Sequence, residues 1–461
     1  MMSARFFKAL EEVVGKENVY TDEADRAVYA YDAAVVEPVV PAAVVRPQDA
    51  EKLGRIVRLC NDEAVPITVR GAGTNLSGGT VPKSHGVVIL TNALNRILEL
   101  NTEDLYAVVE PGVITAKFAA AVESKGLFYP PDPGSQAVST LGGNVAENAG
   151  GLRGLKYGVT RDYVMGLEFF DANGDVVKTG ARTVKCVTGY NLASLLVGSE
   201  GTLGVIYKII LKLIPQPQHR KSMMAVFDAV SGASQTVAAV IAEKIVPATL
   251  EFLDNFTIRA VESFSRAGLP TDAAALLLIE VDGHPAQVEE DAAKVEGICR
   301  KMGARSLRVA QTAQERDKVW EARRAALSAL AKLKPTVVLE DATVPRSRIP
   351  DMVQAVQDIA AKYGLTIGTF GHAGDGNLHP TILTDRRNAE EWHRVERAVE
   401  EIFDRALAMG GTLSGEHGIG LAKAPFMEKE TTRASLEYAR RIKRALDPKN
   451  ILNPGKVIGE A

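Results

Sequence analysis

Residues 69–80 read Val-Arg-Gly-Ala-Gly-Thr-Asn-Leu-Ser-Gly-Gly-Thr. This stretch follows an apolar run at 65–69 that predicts a strand, so the glycines lie where a strand gives way to a tight loop with few side chains. Backbone N–H groups of such a loop can approach an anion closely, and Arg70, Thr74 and Asn75 add donors suited to a diphosphate. The stretch predicts a phosphate-binding loop.

A second glycine-rich stretch follows at residues 139–151 and reads Ser-Thr-Leu-Gly-Gly-Asn-Val-Ala-Glu-Asn-Ala-Gly-Gly. The first stretch has neither the lysine pattern of a Walker loop nor the complete G-x-G-x-x-G fingerprint. A single glycine cluster is more often a turn between two elements, and for each cluster alone that alternative stays open. Two clusters in the same half of the chain predict one long cofactor that contacts both.

Composition excludes several classes of protein. The chain has 461 residues, 46% hydrophobic and 24% charged, which is more than one hydrophobic core usually serves. Its formal net charge of -3 is spread without blocks, which argues against a nucleic-acid surface or a polybasic membrane anchor. Residues 1–16 predict an amphipathic helix rather than a signal peptide, and the apolar runs are too short to span a bilayer. The expected location is the cytoplasm, with attachment to a membrane through a partner as a further option.

The cysteines predict how electrons would leave the protein. Cys60, Cys186 and Cys299 are far apart in the sequence and form no C-x-x-C pair. Neither a disulfide framework nor an iron–sulfur cluster is therefore encoded. A redox enzyme of this composition would have to pass its electrons to another molecule, so a partner is expected.

The order of predicted elements indicates an α+β protein. Short strands and helices alternate up to a Pro/Gln stretch at 215–218, which is typical of a domain boundary. Strands interleaved with helices follow, which predicts a sheet backed by helices. The sequence thus divides into residues 1–218, 219–412 and 413–461, and the last segment contains a predicted helix at 431–446.

Two histidines and a Glu-His pair are candidates for chemistry. His372 and His379 are separated by a glycine-rich segment, and a bend there could bring both imidazoles to one divalent metal ion. A lone histidine is more often a hydrogen-bonded structural group, so the pair alone leaves both options open. Glu416 and His417 stand between glycines, which clear space around charged groups and favour a functional role.

Several of these segments together resemble one family. Residues 70–79, 130–133, 142–151 and 198–204 resemble the FAD-binding domain of the vanillyl-alcohol-oxidase type. The segments Gly-His-Ala-Gly-Asp-Gly-Asn-Leu-His, ending at His379, and Ser-Gly-Glu-His-Gly-Ile-Gly, ending at Gly420, are similar to signatures of its 2-hydroxyacid branch. That branch includes the glycolate oxidase FAD subunit, FAD-linked D-lactate dehydrogenases and D-2-hydroxyglutarate dehydrogenase.

The resemblance implies a fold and a reaction. The implied fold is α+β, with a two-subdomain FAD-binding domain in 1–218, an α+β cap or substrate domain in 219–412 and a C-terminal helical segment in 413–461 that returns to the flavin. The implied reaction is FAD-dependent oxidation of a small D-2-hydroxy acid, D-lactate or glycolate, to the 2-oxo acid by hydride transfer to flavin N5. Non-covalent FAD is expected, because Thr74 stands where covalent relatives often have a histidine.

The resemblance also assigns residues. Those expected to contact FAD are Arg70, Gly71, Gly73, Thr74, Asn75, Gly78, Gly79, Pro131, Asp132, Ser135, Thr140, Gly142, Gly143, Asn144, Asn148, Gly150, Gly151, Glu200, Gly204, Ile206 and Asn453. The Pro-rich turn at 130–133 would lie beside the flavin, although a proline cluster alone indicates a surface loop. The expected metal ligands are His372, His379 and Glu416, with zinc as the first choice of divalent metal.

Substrate-binding roles follow in the same way. Asn377 is expected near the substrate, and His417 is expected to be the general base. Arg323 matches the arginine that binds the substrate carboxylate, with Arg324 as the rival; spacing alone would make either a surface arginine on a helix at 314–333. Relatives that act on 2-hydroxyglutarate carry a lysine near a Tyr-Asp pair, where this chain has Val-Leu-Glu-Asp ending at Asp341, so a small acid is favoured.

Other functions remain open at this level. The sequence also fits D-2-hydroxyglutarate dehydrogenase, a metal-dependent hydrolase that uses the two histidines and Glu416, and a non-catalytic subunit that keeps the FAD fold as a scaffold. The expected electron acceptors are an iron–sulfur subunit, an electron-transferring flavoprotein, a quinone or a cytochrome. An oligomer is compatible with every one of these alternatives.

Overall fold

A computed structural model describes residues 3–459. The strands are β1 Val19–Tyr20, β2 Ala43–Val45, β3 Ile67–Arg70, β4 Val87–Leu90, β5 Ile97–Asn101, β6 Tyr106–Val109, β7 Leu127–Phe128, β8 Val164–Phe170, β9 Val176–Gly180, β10 Val205–Lys212, β11 Ile214–Pro215, β12 His219–Phe227, β13 Thr249–Asp254, β14 Ala275–Gly283, β15 Ala304–Val309, β16 Thr336–Leu339, β17 Ala342–Thr343, β18 Thr366–His372 and β19 Asn377–Thr384. The α-helices are α1 Ala4–Val14, α2 Glu23–Ala27, α3 Ala50–Asp62, α4 Thr115–Glu123, α5 Leu141–Glu147, α6 Gly154–Tyr157, α7 Leu192–Leu196, α8 Val230–Ala242, α9 Asn255–Ser265, α10 Pro285–Lys301, α11 Ala313–Arg324, α12 Ala326–Ala331, α13 Ile349–Tyr363, α14 Ala389–Ala408, α15 Met427–Glu430 and α16 Arg433–Leu446.

The chain forms two compact units. The first unit comprises residues 1–150, 159–216 and 416–461, and the second comprises 151–158 and 217–415. The chain therefore enters the second unit once for a short excursion and once for a long one. From residue 416 onward it belongs to the same unit as the N-terminal half.

The first unit contains a four-stranded sheet in the order β1-β2-β4-β3, in which β2, β4 and β3 are parallel. Parallel strands need a crossover connection, and α3 supplies it between β2 and β3. Asp49 caps this helix by accepting a hydrogen bond from the Lys52 N–H at 2.8 Å. The apolar positions of α3 are buried against the sheet, as their helical spacing predicts: Leu53, Ile56, Val57 and Cys60.

A second sheet of the first unit is antiparallel, in the order β5-β6-β10-β8-β9. The Asn173-Gly174 pair lies in the connection between β8 and β9, which form the antiparallel hairpin that an Asn-Gly pair favours. Alternating burial along β10 places one face against α4, α5 and α7. Strands β7 and β11 pair separately as a two-stranded sheet. The four-stranded and five-stranded sheets correspond to the two subdomains expected of the FAD-binding domain.

The C-terminal segment packs into the first unit. Leu452 forms a parallel bridge with Ile67, and the Asn453 N–H donates to the carbonyl of Ile67 at 2.8 Å. The buried ammonium of Lys443 donates to the carbonyls of Thr202 and Leu452 at 2.8 and 2.7 Å. These contacts attach the end of the chain to β3 and to the loop that precedes β10.

The second unit is built on one sheet in the order β15-β12-β14-β13-β18-β19-β16, with β17 also paired to β19. Strands β18 and β19 form a hairpin with a short turn at 373–376. The single helix expected at 314–333 is interrupted at Ala325, where α11 ends and α12 begins. The Ala325 N–H is shared between the carbonyls of Glu321 and Ala322, and no glycine or proline marks the break in the sequence.

The N-terminal amphipathic helix is α1, and its buried side chains are Phe6, Leu10, Val13 and Val14. Within residues 3–459, no helix combines the length and the apolarity that crossing a bilayer requires.

Candidate active site

The first glycine loop begins at the carboxyl end of β3, the edge of a parallel sheet where ligands commonly bind. The side chain of Arg70 is hydrogen-bonded to nearby parts of the first unit. Its Nη1 donates to the carbonyl of Tyr31 at 2.6 Å and to the Thr80 hydroxyl at 3.3 Å. Its guanidinium also lies 5.8 Å from the centre of the Tyr29 ring. Arg70 therefore braces the loop that it introduces.

Asp32 is a further polar residue of this loop that sequence reasoning missed. It is 7% exposed, and its Oδ2 accepts hydrogen bonds from Asn75 Nδ2 at 2.6 Å and from the Thr80 N–H at 3.3 Å. Burial raises the pKa of Asp32, and these bonds together with the nearby Arg70 act in the opposite direction. Asp32 fixes the side chain of Asn75, and no local sequence pattern marks it.

The two glycine clusters meet in the first unit. A Cβ atom at Gly71 would lie 2.2 Å from the hydroxyl oxygen of Thr140, so only glycine allows this approach. Thr140 in turn caps α5 by accepting from the Gly143 N–H at 3.3 Å. The prediction that both clusters contact one cofactor requires this proximity. The residues at the contact are small, so backbone rather than side chains faces an approaching ligand.

The predicted FAD residues are not equivalent in their surroundings. Asn144 donates to the Thr115 hydroxyl at 2.9 Å inside the fold, and Ile206 is part of the hydrophobic core. The side-chain Oδ1 of Asn148 accepts a hydrogen bond from the Arg161 N–H at 2.9 Å. Pro131 and its neighbours at 130–133 are buried, which departs from the surface loop that a proline cluster alone suggests. These residues shape the walls around the glycine clusters.

Asn453 links two loops of the first unit. Its Nδ2 donates to the carbonyls of Gly79 and Glu200 at 2.8 and 2.7 Å, and its Oδ1 accepts from the Thr68 hydroxyl at 3.2 Å. The C-terminal Asn-Pro-Gly segment therefore reaches the first glycine loop, as the resemblance implies. Asn453 holds the backbone of that loop in place.

Two buried carboxylates, Glu147 and Glu200, lie beside the same loop. An Oε atom of each would be within 2.9 to 3.1 Å of a Cβ at Gly79. Burial raises the pKa of Glu147 well above its usual range, and the charges of Glu200 and Asp32 add to this effect. Burial also raises the pKa of Glu200, although hydrogen bonds from the Ile419 and Gly420 backbone and the charge of Lys456 oppose it.

Glu416 and His417 lie in the first unit. The carboxylate of Glu416 packs on the second glycine cluster, since a Cβ at Gly150 would lie 2.6 Å from its Oε2. His417 is buried, with 8% of its surface exposed. Glu416 therefore contacts a glycine that is far away in the sequence, Gly150.

His372, His379 and Asn377 lie in the second unit, on one face of the β18–β19 hairpin. His372 is paired with Asn377, and Phe370 with His379, so the alternation of a strand directs all four side chains to the same side. The imidazole centres of His372 and His379 are 5.1 Å apart, and Phe370 lies 5.5 Å from the latter. The bend brings the two histidines together as predicted.

Glu251 completes this face from the neighbouring strand β13. The register pairs Phe252 with Gly371, which places Glu251 next to His372 across the two strands. Its Oε1 is 2.8 Å from Nδ1 of His372, and its Oε2 is 2.7 Å from Nε and 2.5 Å from Nη2 of Arg323. Burial acts to raise the pKa of Glu251, but the charges of Arg323 and His372 hold it below its ordinary value.

The structure separates the two rival arginines. Arg323 is 5% exposed and its guanidinium lies 4.8 Å from the centre of the Phe370 ring, whereas Arg324 points to solvent. Sequence reasoning missed Glu251, the residue that holds Arg323. The available signal was a glutamate within the otherwise apolar strand Thr-Leu-Glu-Phe-Leu.

Asp341 is a second acid that the sequence did not mark as a ligand. It is fully buried, and its Oδ2 accepts from the Ser414 hydroxyl at 2.8 Å. One of its carboxylate oxygens lies within 4.8 Å of a ring nitrogen of His379, the same limit that applies between His372 and His379. Asp341 is therefore a candidate metal ligand that lies in the same unit as both histidines.

Comparison with known proteins identifies the family. The family model for the C-terminal domain of FAD linked oxidases matches residues 216–457, and the model for an FAD binding domain matches residues 41–180. The glycolate oxidase subunit GlcD of Bacillus subtilis (strain 168) is 53% identical over 451 residues, which cover 98% of this chain and 96% of that protein. A D-lactate dehydrogenase of Anaerostipes hadrus is 33% identical over 466 residues, which cover 99% of this chain and 98% of that protein.

A solved structure shows the fold. Substrate-bound p-cresol methylhydroxylase superposes with a TM-score of 0.82 at 19% identity, over 99% of this chain and 96% of that chain. The predicted α+β fold of the vanillyl-alcohol-oxidase type is thereby confirmed. The two matching family models confirm the prediction that the cofactor is FAD. The chain belongs to the family of FAD-linked oxidases and is an FAD-dependent oxidoreductase.

Proposed function

We propose that this FAD-linked oxidase converts a small D-2-hydroxy acid, D-lactate or glycolate, into the 2-oxo acid and passes the electrons to a partner protein. The names of its relatives support the substrate class, because one is a glycolate oxidase subunit and another a D-lactate dehydrogenase. The word subunit in the first name supports a partner, and an iron–sulfur protein or an electron-transferring flavoprotein would serve.

The observation that carries the proposal is the face of the second unit on which Arg323, His372, His379 and Asn377 meet. A 2-hydroxy acid presents a carboxylate and a hydroxyl on adjacent carbons, so it needs a cation and a polar group close together. Arg323 uses one edge of its guanidinium for Glu251, and its remaining N–H groups would bind the substrate carboxylate. Asn377, buried beside them, would orient the hydroxyl.

The donor set of this face fits a divalent metal. Two imidazoles and a carboxylate are normal ligands for zinc, and the ligands that the resemblance implies are His372, His379 and Glu416. Asp341, which has a carboxylate oxygen within 4.8 Å of a ring nitrogen of His379, is the alternative acid. A metal bound there would lower the pKa of the substrate hydroxyl. The residues of this face would themselves orient that hydroxyl. They would also exclude water, because the side chains of His372, His379 and Asp341 are buried.

The remaining roles belong to the first unit. We assign His417 as the base that accepts the hydroxyl proton. FAD would be held without a covalent bond, because Thr74 offers no histidine for attachment, and its N5 would be the hydride acceptor. The glycine clusters would hold its diphosphate through backbone N–H groups.

The size of the substrate follows from the end of β16. Residues 338–341 carry no cation, and Asp341 is a fully buried acid that would repel a second carboxylate nearby. A monocarboxylic acid is therefore favoured over 2-hydroxyglutarate.

Anaerobic bleaching of the flavin tests this function. We expect the purified protein to be yellow, to release intact FAD on acid precipitation, and to lose its absorbance with D-lactate or glycolate but not with L-lactate or D-2-hydroxyglutarate. A colourless protein would favour a hydrolase, and a yellow protein that no acid bleaches would favour a scaffold subunit.

The role of His417 has a matched control. His417→Ala should slow flavin reduction by about 10²–10⁴-fold, the usual contribution of a general base, with unchanged FAD content. His393→Ala removes an exposed histidine on α14 and should reduce flavin at the native rate. A native rate in His417→Ala would overturn the assignment.

The metal is tested separately by elemental analysis. The double variant His372→Ala, His379→Ala should lose the metal of the purified protein. Comparing Glu416→Gln with Asp341→Asn then identifies the third ligand, because the variant that lacks it loses most of the metal. Full metal content in the double variant would contradict the site.

A further inference from the structure

Glu251 is an acid that the proposed reaction does not use, although it contacts two residues that the reaction needs. It has no solvent-exposed surface and lies in the middle of the sheet of the second unit. A carboxylate without solvent is stable only if charged or strong donors satisfy it. Its two oxygens are satisfied by two different residues, His372 and Arg323.

The contact with His372 fixes which ring nitrogen carries the proton. An ionised carboxylate only accepts hydrogen bonds, so Nδ1 of His372, 2.8 Å from Oε1, must be the donor. Of the two ring nitrogens, only Nε2 could then bind a metal ion. A carboxylate behind a ligating histidine is a recurring arrangement that orients the ring and raises its basicity.

The contact with Arg323 fixes a second group in the same way. Nε and Nη2 both lie on Oε2, and the guanidinium is held over the Phe370 ring. This contact restrains the rotamer of a long side chain that would otherwise lose its rotational freedom only when the substrate binds. Glu251 therefore leaves one defined edge of Arg323 for a carboxylate.

We propose that Glu251 is the positioning residue of this site, and that its single carboxylate couples metal binding at His372 to substrate binding at Arg323. The inference rests on the proposed function for the identity of the substrate. Its first half, the orientation of His372 for a metal, does not depend on which acid is oxidised. A purely structural ion pair between Glu251 and Arg323 would predict no effect on metal affinity.

Variants of Glu251 separate these possibilities. In Glu251→Gln, the amide cannot accept from both His372 and Arg323, so one of the two contacts is lost whichever way it turns. We expect zinc affinity, measured by titrating zinc into the EDTA-treated holoenzyme, to fall by about 10–100-fold. We expect the KM for the oxidised acid to rise as well. Glu251→Asp keeps the charge at a shorter reach and should recover part of both losses.

Glu280→Gln is the matched control. Glu280 is a buried glutamate on the neighbouring strand β14, and its Oε2 accepts from the Ser222 hydroxyl at 2.6 Å and the indole of Trp320 at 3.1 Å. Because both donors are neutral, a glutamine oxygen can replace the carboxylate oxygen. Zinc affinity and KM should stay native in this variant. Native zinc affinity in Glu251→Gln, with FAD content and Tm unchanged, would overturn the proposal.

A measurement on the unaltered protein covers the case in which Glu251 variants fail to fold. Long-range ¹H–¹⁵N correlation in ¹⁵N-histidine-labelled, zinc-free holoenzyme reports the tautomer of each ring, and His372→Gln identifies the signal of that residue. The proposal requires the proton on Nδ1 of His372. A proton on Nε2 alone would overturn it. If no 2-hydroxy acid bleaches the flavin, the proposed function fails, whereas the zinc and tautomer results still decide the role of Glu251.

Discussion

Two regions of the molecule, one in each unit, bury glutamates in opposite ways. In the first unit Glu147 and Glu200 lie close to one another, and burial raises the pKa of both. In the second unit Glu251 is at least as deeply buried, yet Arg323 and His372 hold its pKa below the ordinary value. The same residue type in similar isolation thus tends towards the neutral form in one unit and stays ionised in the other.

The difference follows from the donors that each unit provides. Neutral groups satisfy the Glu200 carboxylate in the first unit: the Ile419 N–H donates to it at 2.7 Å, and the Gly420 N–H also hydrogen-bonds to it. Lys456 acts on Glu200 as well, but burial outweighs it. Direct contact with a cation is what lets Glu251 remain charged.

Removal of Arg323, the cation that pairs with Glu251, should have the largest effect on stability and activity. Arg323→Met keeps the length of the side chain but leaves the carboxylate of Glu251 buried beside His372 alone. We expect the free energy of unfolding to fall by about 3–5 kcal/mol, the usual cost of breaking a buried ion pair. Flavin reduction by a 2-hydroxy acid should be lost at the same time, because the substrate carboxylate has no partner. Denaturant unfolding and stopped-flow absorbance measure the two effects.

Arg324→Met is the control for this experiment, since it changes the neighbouring, exposed arginine of the same helix. Its stability should stay within about 0.5 kcal/mol of the native protein, and its rate of flavin reduction should be unchanged. If the two variants behave alike, the contrast between the units is not one of compensated charge.

Removal of a neutral donor should have an intermediate effect in the first unit. Asn453→Ala leaves the carbonyls of Gly79 and Glu200 without the amide that joins them, which costs about 2–4 kcal/mol for two buried acceptors. The first glycine loop would then be less well fixed, so FAD should dissociate more readily. Thermal unfolding and the fluorescence of released flavin measure both consequences.

The variant Asn450→Ala is the control. It separates the effect of losing the Asn453 side-chain amide from the cost of placing alanine in a left-handed backbone conformation. Asn450 and Asn453 have φ values of 50° and 41°, so alanine is strained at both positions by about 1–2 kcal/mol. Only Asn453 bridges the two loops. Equal losses in the two variants would show that the backbone conformation, and not the bridge, accounts for the effect.

Much of the fold could be predicted from local sequence. The loop after β3, the apolar spacing of α3 and the hairpin at Asn173-Gly174 each follow from residues adjacent in the chain. The approach of His372 and His379 was also predictable, because one short turn joins their strands. Local patterns of this kind specify their own geometry, since glycine, turn residues and periodicity act over a few positions.

The partners of these groups could not be predicted. Glu251 and His372 are 121 positions apart, and their contact depends on the register of β13 against β18. Asp32 and Asn75 are 43 positions apart and meet in a loop with no repeating pattern. Contacts between residues so far apart in the sequence depend on how whole sheets pack. The residues on either side of each contact in the sequence therefore do not predict it. The break at Ala325 also lacks a sequence signal.

Removal of the carboxyl group of Glu147 from the first unit should have the smallest effect on stability, and this effect should be stabilising. A carboxyl group whose pKa is raised by folding stabilises the folded state below its unfolded pKa and loses that stabilisation as the pH rises through the folded value. Glu147→Gln removes this loss, so its Tm should match the native protein below pH 4.5, the ordinary pKa of glutamate, and exceed it by about 2–4 °C near pH 9, for a gain of roughly 1 kcal/mol. Glu123→Gln, at an exposed position on α4, should follow the native curve throughout. A Glu147→Gln variant less stable than the native protein at pH 9 would mean that the carboxylate is ionised and paired, as Glu251 is, and the contrast between the two units would not hold.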